Sequence, residues 1–186
     1  ADSIDGPVYC RVLRGSIPRL FDTPMEVGRM RELAGGSDIL VVTSGVATEE
    51  ALRCRAALEG AGVSIRHLHI HTIKPFDREA FLDHVSAVSK GVVVLENHVI
   101  DGGVGSLAAE IMAEAGAGKP LVRLGLRDTF AHGGSRPYLM KHYGLDATAL
   151  LAGIERLLGT STGIGEDDLA AIRVEAVHSG VKAEAL

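Results

Sequence analysis

The sequence predicts an α/β fold: a mostly parallel, twisted sheet of about five strands with helices on both faces. Short β-branched apolar runs recur along residues 27–126, and runs that are apolar on both faces are typical of buried parallel strands. Segments with a helical spacing of apolar residues separate these runs. Because the connections are short, consecutive strands require right-handed crossovers through a helix. In such a sheet, binding sites form in the loops at the carboxyl ends of the strands.

The predicted elements follow from these runs in order. Strands are predicted over residues 27–33, 38–44, 63–70, 91–96 and 120–126, the first of them as an antiparallel edge strand. Helices are predicted over residues 48–59 and 78–88, from the glycine-rich turn 101–106 to residue 115, from 146 to 158, and weakly over 167–177. Asp77 and Asp146 precede two of the helices and are predicted to cap them, since an aspartate oxygen can accept a hydrogen bond from an unpaired amide of the first turn.

The composition excludes several classes of partner. With 46% hydrophobic and 23% charged residues, the chain is globular and has enough apolar residues for a core. A net charge of −5, four Phe, three Tyr and no Trp argue against a nucleic-acid surface, which needs basic and stacking side chains. No apolar run is long enough to span a membrane, and residues 1–10 lack the pattern of a secretion signal. We therefore expect a cytoplasmic protein that binds neither nucleic acid nor membrane.

Three histidines, His67, His69 and His71, alternate along a predicted strand. Alternate residues of a strand share one face, so the three imidazoles are predicted to lie together as some metal-binding histidine pairs do. No carboxylate or cysteine pattern completes a metal shell, and two-residue spacing arises easily by chance. We therefore predict no metal site.

The glycine-rich turn contains Gly102, Gly103, Gly105 and Ser106 and opens a predicted helix. Amides at a helix N-terminus can bind a phosphate. The spacing matches neither the dinucleotide fingerprint nor a Walker loop with its lysine. The glycines would equally permit close packing of the helix against the sheet or a partner. The pattern favours packing and leaves the anion-binding interpretation open.

Arg11 and Arg14 flank the end of another predicted strand, near the amino end of the chain. Guanidinium groups can hold a substrate phosphate through paired hydrogen bonds. A solvated pair at a domain edge explains the same residues equally well. From the residues alone, both interpretations stay open.

Several ordered segments resemble the transketolase family, including its two-subunit forms and the deoxyxylulose-phosphate synthases. The segments with this resemblance are residues 6–15, 36–45, 71–77, 94–106, 128–134 and 143–146. The third contains the family's threonine–lysine–proline–aspartate stretch, and the fourth its glutamate, histidine and Gly-Gly-x-Gly-Ser segment. The resemblance covers about residues 6–158. It places residues 1–22 at the end of a pyrimidine-binding domain with its linker, 23–159 in the C-terminal domain, and 160–186 in a tail.

The resemblance also implies a function. Family members bind thiamine diphosphate and Mg²⁺ between two domains that lie N-terminal to this domain, and they transfer a two-carbon ketol unit between sugars. The missing domains would lie on the same chain or on a separate subunit. This chain is therefore expected to contain no catalytic residue, to bind no cofactor alone and to be inactive alone, while supporting a homodimer. A section of a deoxyxylulose-phosphate synthase, a section of a 2-oxoacid dehydrogenase beta subunit and a non-catalytic binding module are the alternatives.

The resemblance assigns roles to few individual residues. By position, Arg14 matches the family arginine that contacts the substrate phosphate, and Arg11 lies nearby. Glu96, His98 and the glycine-rich turn are expected to form an interface or an anion-binding turn.

Overall fold

The computed structural model describes residues 4–10 and 18–174, and Arg11 and Arg14 lie outside them. Five strands are present: β1 (Arg31–Ala34), β2 (Ile39–Ser44), β3 (Ile65–Ile70), β4 (Gly91–Val99) and β5 (Leu121–Leu126). The described helices are α1 (Ala47–Gly60), α2 (Arg78–Ser86), α3 (Val104–Glu114), α4 (Arg136–His142), α5 (Ala147–Leu158) and α6 (Glu166–Ala171).

The five strands form one sheet in the order β1-β3-β2-β4-β5. Strands β2 to β5 are parallel, while β1 runs antiparallel to β3 at one edge. The predicted fold class is therefore confirmed, including its antiparallel edge strand. Because β1 runs against the other strands, its first residue, Arg31, pairs with His69 near the carboxyl end of β3.

The sheet separates two apolar cores. On one face, α1, α5 and α6 pack against alternate strand residues such as Val41, Val93 and Val122. On the other face, α2 and α3 cover the intervening residues, such as Val42 and Val94. The central strands are buried on both sides, which explains why they contain continuous β-branched runs instead of an alternating pattern. We call these the α1 face and the α3 face.

Most predicted boundaries agree with the structure to within a few residues, and both predicted caps are confirmed. The Asp77 side chain accepts a hydrogen bond from Ala80 N at 3.2 Å, and that of Asp146 accepts one from Ala149 N at 3.0 Å. These bonds satisfy amides that have no partner inside the helix. Among the described residues, no helix is long and apolar enough to cross a membrane.

Four elements differ from the prediction. The edge strand covers Arg31–Ala34 instead of 27–33, and β4 continues to Val99, beyond the predicted end at Glu96. Helix α4 lies in a stretch for which the sequence predicts neither helix nor strand, because Gly133, Gly134 and Pro137 interrupt any apolar period. Within the described residues, the weak final helix covers Glu166–Ala171 and its Leu169 is buried against the α1-face core, while residues 175–177 of the prediction lie outside them.

Candidate functional site

The candidate site lies at the carboxyl edge of the sheet, which we define as the end at which the parallel strands finish. Within the sheet, β3 is the neighbour of β2 in one direction and β4 is its neighbour in the other direction. The crevice between the ends of β2 and β4 is therefore the topological switch point, where ligands of open α/β sheets usually bind. The loops 71–77, 100–103 and 127–135 follow β3, β4 and β5 at this edge.

Glu96 is the central residue of the glycine-rich turn. Its side chain is buried, with 2% exposed, on the α3 face of β4. One carboxylate oxygen accepts a hydrogen bond from Val104 N at 2.7 Å, and the other accepts one from Gly105 N at 2.8 Å. These amides belong to the first turn of α3, where the helix dipole favours negative charge. The carboxylate of this chain thus occupies the position at which an external anion would bind.

Two glycines make this contact sterically feasible. A β-carbon at Gly103 would overlap the Glu96 carboxylate. A β-carbon at Gly105 would lie 3.1 Å from a Glu96 oxygen and from the Arg123 side chain. Glycine is therefore required at 103 and strongly favoured at 105, because the helix start approaches the strand closely.

Ser106 and Arg123 connect the remainder of the turn. Ser106 Oγ accepts a hydrogen bond from Gly102 N at 3.0 Å and donates one to Ile100 O at 2.8 Å. The Arg123 guanidinium donates to Ser106 Oγ at 3.0 Å and to Ile100 O at 3.2 Å. The turn is consequently fixed by its own side chains.

The structure does not bring every candidate residue into this turn. His98 is exposed, and its Nδ1 lies 2.7 Å from the carbonyl oxygen of the adjacent Val99. It makes no hydrogen bond to Glu96. The placement of Arg11 and Arg14 relative to the turn is not described, because both lie in the stretch 11–17.

A second polar cluster lies on the α1 face. His67 Nε2 is 2.9 Å from Thr43 Oγ1, which is 2.9 Å from Thr48 Oγ1, which is 2.7 Å from His69 Nδ1. All four side chains are buried. We call these residues the His/Thr cluster. Sequence reasoning placed the histidines on one face but missed both threonines, which come from β2 and α1.

Burial determines the protonation of this cluster. Desolvation, followed by the nearby Arg55 charge, lowers the pKa of His67 from 6.5 to about 3. Desolvation, followed by His71, lowers the pKa of His69 to about 4. Both imidazoles are therefore neutral near pH 7. His67 Nδ1 has no hydrogen-bond partner within the described residues.

Two cavities open at the switch point and share Asn97 and Arg136. One, of about 280 Å³, is lined by Pro18, Leu20, Ser44, Gly45, Val46 and Glu49 in addition to the shared pair. The other, of about 380 Å³, reaches toward α4 and is lined mainly by apolar side chains. The Arg136 guanidinium lies 3.3 Å from the Glu49 carboxylate. The Arg136 guanidinium, which lines both cavities, is thus already paired.

The comparisons with known proteins identify the domain. A family described as "Transketolase, C-terminal domain" matches residues 28–150, which is more than half of the chain. The chain belongs to this family. Its predicted resemblance to transketolases is therefore confirmed.

Individual relatives agree with the assignment. The chain is 35% identical over 158 residues to a transketolase family protein of Sinorhizobium fredii, covering 83% of this chain and 46% of the relative. It is 39% identical over 150 residues to a 6-deoxy-6-sulfo-D-fructose transketolase subunit of Clostridium sp., covering 79% and 46%. It is 37% identical over 151 residues to a 1-deoxy-D-xylulose-5-phosphate synthase of Chlorobium phaeovibrioides, covering 79% and 24%. The chain spans about half the length of the first two relatives.

A solved structure is similar over the same region. It is a split-gene transketolase in an inactive tetramer of four beta subunits, matched with a TM-score of 0.71 and 31% identity over 80% of this chain and 48% of that chain.

Proposed function

We propose that this chain is the C-terminal section of a thiamine-diphosphate-dependent transketolase that transfers a two-carbon ketol unit between sugar phosphates. In this proposal the chain supports assembly of the enzyme and is inactive alone. The observation that carries the proposal is the family membership of a chain that spans half the length of relatives named as transketolases and transketolase subunits. A further relative, from Actinobacillus succinogenes, is named as a subunit of an apulose-4-phosphate transketolase.

The geometry of the carboxyl edge supports a structural role. Among the described residues, Glu96 is the one acidic side chain that is buried. Both of its oxygens accept amide hydrogen bonds, so it holds α3 on the sheet and is not available as a base. The buried histidines are likewise bonded to threonines and kept neutral. These polar side chains stabilise the fold.

The glycine-rich turn does not fit the diphosphate of the cofactor. The amides of Val104 and Gly105, which a diphosphate would need, are already bonded to Glu96. We therefore assign thiamine diphosphate and Mg²⁺ to the section that precedes this domain, either on the same chain or on a separate subunit. We further propose that the complete enzyme is a cytoplasmic homodimer supported by this domain.

The proposal is tested by reconstitution. The chain is combined with its preceding section, thiamine diphosphate and Mg²⁺, and ketol transfer from a ketose phosphate to an aldose phosphate is measured. Activity is expected only for the complete enzyme. In calorimetry, the chain alone should show no saturable heat with cofactor and Mg²⁺. Micromolar cofactor binding by the chain alone would contradict the assignment.

We also propose that Arg14, and to a smaller extent Arg11, holds the substrate phosphate. A guanidinium can bond two phosphate oxygens at once, and removing such a charge-assisted contact costs about 1.5–3 kcal/mol. Arg14→Ala in the complete enzyme should therefore raise KM for phosphorylated substrates about tenfold to a hundredfold, and Arg14→Lys should rescue only partly. Arg11→Ala is the matched control with a smaller effect. Equal losses on plain and phosphorylated sugars would make Arg14 structural.

A second candidate function is the decarboxylating reaction of the same superfamily. The 37% identity to a 1-deoxy-D-xylulose-5-phosphate synthase favours keeping this candidate. The two reactions differ in their donor, because the synthase would consume a 2-oxoacid and release carbon dioxide. Carbon dioxide released from pyruvate by the complete enzyme, without ketol transfer, would decide for this candidate.

A further inference from the structure

The exposed apolar side chains of the domain are distributed unevenly. Between residues 18 and 174, six large apolar side chains are exposed: Met25, Val27, Ile73, Val99, Phe130 and Tyr138. Ile73 and Phe130 follow the carboxyl ends of β3 and β5, Val99 is the last residue of β4, and Tyr138 lies on the helix after β5. Met25 and Val27 precede β1, whose first residue pairs near the carboxyl end of β3. All six therefore lie at the carboxyl edge.

Phe130 is the most informative of these side chains. It is fully exposed in the loop between β5 and α4, so it contributes no packing within this domain. Nearby Tyr138 is half exposed and its ring packs edge-on against His132, with centroids 5.6 Å apart. Aromatic side chains held in this way are typical anchors of protein interfaces. A cluster of exposed apolar groups on one side of a domain indicates a contact surface.

The chain enters the domain at this same edge. Pro18 and Leu20 line the cavity at the switch point, together with Ser44, Gly45 and Asn97. The Phe21 ring lies 5.1 Å from the His69 ring, and the Arg31 guanidinium lies 4.7 Å from the Phe21 ring centre. Whatever precedes residue 18 is therefore joined to the domain beside the exposed apolar side chains.

We propose that the carboxyl edge is the surface on which the preceding section of the enzyme docks, with Phe130 as its central anchor. This inference rests on the proposed function, because the occupant is the section that the relatives possess and this domain lacks. An exposed aromatic side chain offers roughly 150–250 Å². Two such rings and four aliphatic side chains fit a contact between domains of roughly 600–1,500 Å².

The polar groups of the edge are compatible with this role. Glu96, Ser106 and Arg123 are bonded within the domain, and Asp77 is paired with Arg29 at 3.0 Å. These side chains therefore need no partner from the occupant when the surface docks. The two cavities beside Asn97 provide pockets for side chains of the occupant.

The test measures the accessibility of single cysteines in the complete enzyme. The exposed Cys10 is first replaced by serine, while burial raises the pKa of the Cys54 thiol to about 12 and keeps it unreactive. Thr129→Cys, an exposed position beside Phe130 that leaves the anchor in place, reports on the carboxyl edge. Ser89→Cys, an exposed position between α2 and β4 at the opposite edge, is the matched control. Each variant is labelled with a maleimide in the complete enzyme and in the 186-residue chain alone.

We expect Thr129→Cys to react at least about tenfold more slowly in the complete enzyme than in the chain alone. Ser89→Cys should react equally in both. Equal rates at position 129 would overturn the proposal. So would protection already present in the chain alone together with a dimer in sedimentation, since a second copy would then be the occupant. Ketol transfer by the same preparations separates the two hypotheses: protection without transfer contradicts only the proposed function, and transfer without protection contradicts only the docking surface.

Discussion

The two faces of the sheet bury polar groups in opposite ways. On the α3 face, the Glu96 carboxylate accepts two amide hydrogen bonds from the start of a helix. On the α1 face, His67 and His69 are bonded to the neutral hydroxyls of Thr43 and Thr48. An anion is stabilised by the helix dipole and the amides, whereas a cation in the His/Thr cluster would have only hydroxyls around it.

This difference determines how each face responds to conditions. The α3 face depends on a specific acceptor and on the space that glycines leave for it. The α1 face depends on keeping two imidazoles unprotonated. Removing Glu96 and lowering the pH should therefore destabilise the same domain through separate mechanisms, and the effects of small changes at the two sites should add.

The largest expected effect is acid destabilisation through the α1 face. His67 and His69 have folded-state pKa values of about 3 and about 4 against 6.5 when unfolded, so the unfolded chain binds more protons below pH 6.5. The contribution of the two neutral histidines to the free energy of unfolding should be complete above pH 6.5. It should fall by about 4 kcal/mol between pH 6 and pH 4. Urea unfolding monitored by circular dichroism at a series of pH values measures this loss.

The pH range of the loss distinguishes the effect of the histidines from that of the carboxylates. Arg29 lowers the pKa of Asp77, and Thr162 lowers that of Glu155, so their contributions are lost only below about pH 4.5. His69→Gln should reduce the slope above pH 4.5, and the exposed His98→Gln is the control that should not. A parent and a His69→Gln protein with the same slope would refute the mechanism.

The next largest effect is expected on the α3 face. Glu96→Ala leaves Val104 N and Gly105 N buried without their acceptor, which should lower the free energy of unfolding by about 3–4 kcal/mol. Glu96→Gln keeps one acceptor oxygen and should lose about half as much. Urea midpoints at pH 7 compare the three proteins. A loss below about 1 kcal/mol for Glu96→Ala would show that water satisfies the amides.

Gly103→Ala tests the space requirement of the same contact. The added methyl group would overlap the Glu96 carboxylate, so either the side chain or the start of α3 must shift. A loss of about 2–3 kcal/mol is expected, in the range observed for overpacked sites. Gly60→Ala is the matched control, because no atom lies near its β-carbon position and alanine favours a helix. Thermal unfolding of both variants is sufficient, and similar midpoints would contradict the close approach.

The smallest effect is expected at the exposed surface of the domain, away from the two buried polar clusters. Arg78 and Glu114 form an ion pair between α2 and α3, with side chains 50% and 66% exposed. Solvent screens such pairs, so Arg78→Ala should change the free energy of unfolding by no more than about 0.5 kcal/mol. A larger loss in urea unfolding would contradict this prediction, because it would show that an exposed ion pair contributes as much as the buried polar groups of the two faces.

Most of the fold could be predicted from the sequence because the central strands are buried on both sides. The runs at 38–44 and 91–96 are so rich in β-branched residues that their assignment needed no tertiary information. Helix α4 could not be predicted in this way because it is short and follows two glycines. Its Pro137 lies in the first turn, where proline is tolerated because that amide has no helical partner.

The polar clusters were less predictable because they depend on strand register. The pairing of Thr43 with His69 in the β2–β3 ladder brings together residues that are 26 positions apart, and nothing local specifies that register. Thr48 joins them only because α1 packs on the same face of the sheet. Similarly, the sequence marked Glu96 and the glycine-rich turn as neighbours, but not the hydrogen bonds between them. That contact depends on how closely α3 approaches β4.

The Glu96 carboxylate can also be viewed as a tethered ligand. Because it belongs to the same chain as α3, its effective concentration at the helix start far exceeds that of a free metabolite. Phosphate and carboxylate ions in solution should therefore fail to displace it. If Glu96→Gly removes the tether, the vacated space beside Val104 N and Gly105 N has the size of a small carboxylate. Added formate or acetate should then restore stability in proportion to its saturation of that space, a chemical rescue that chloride would not reproduce.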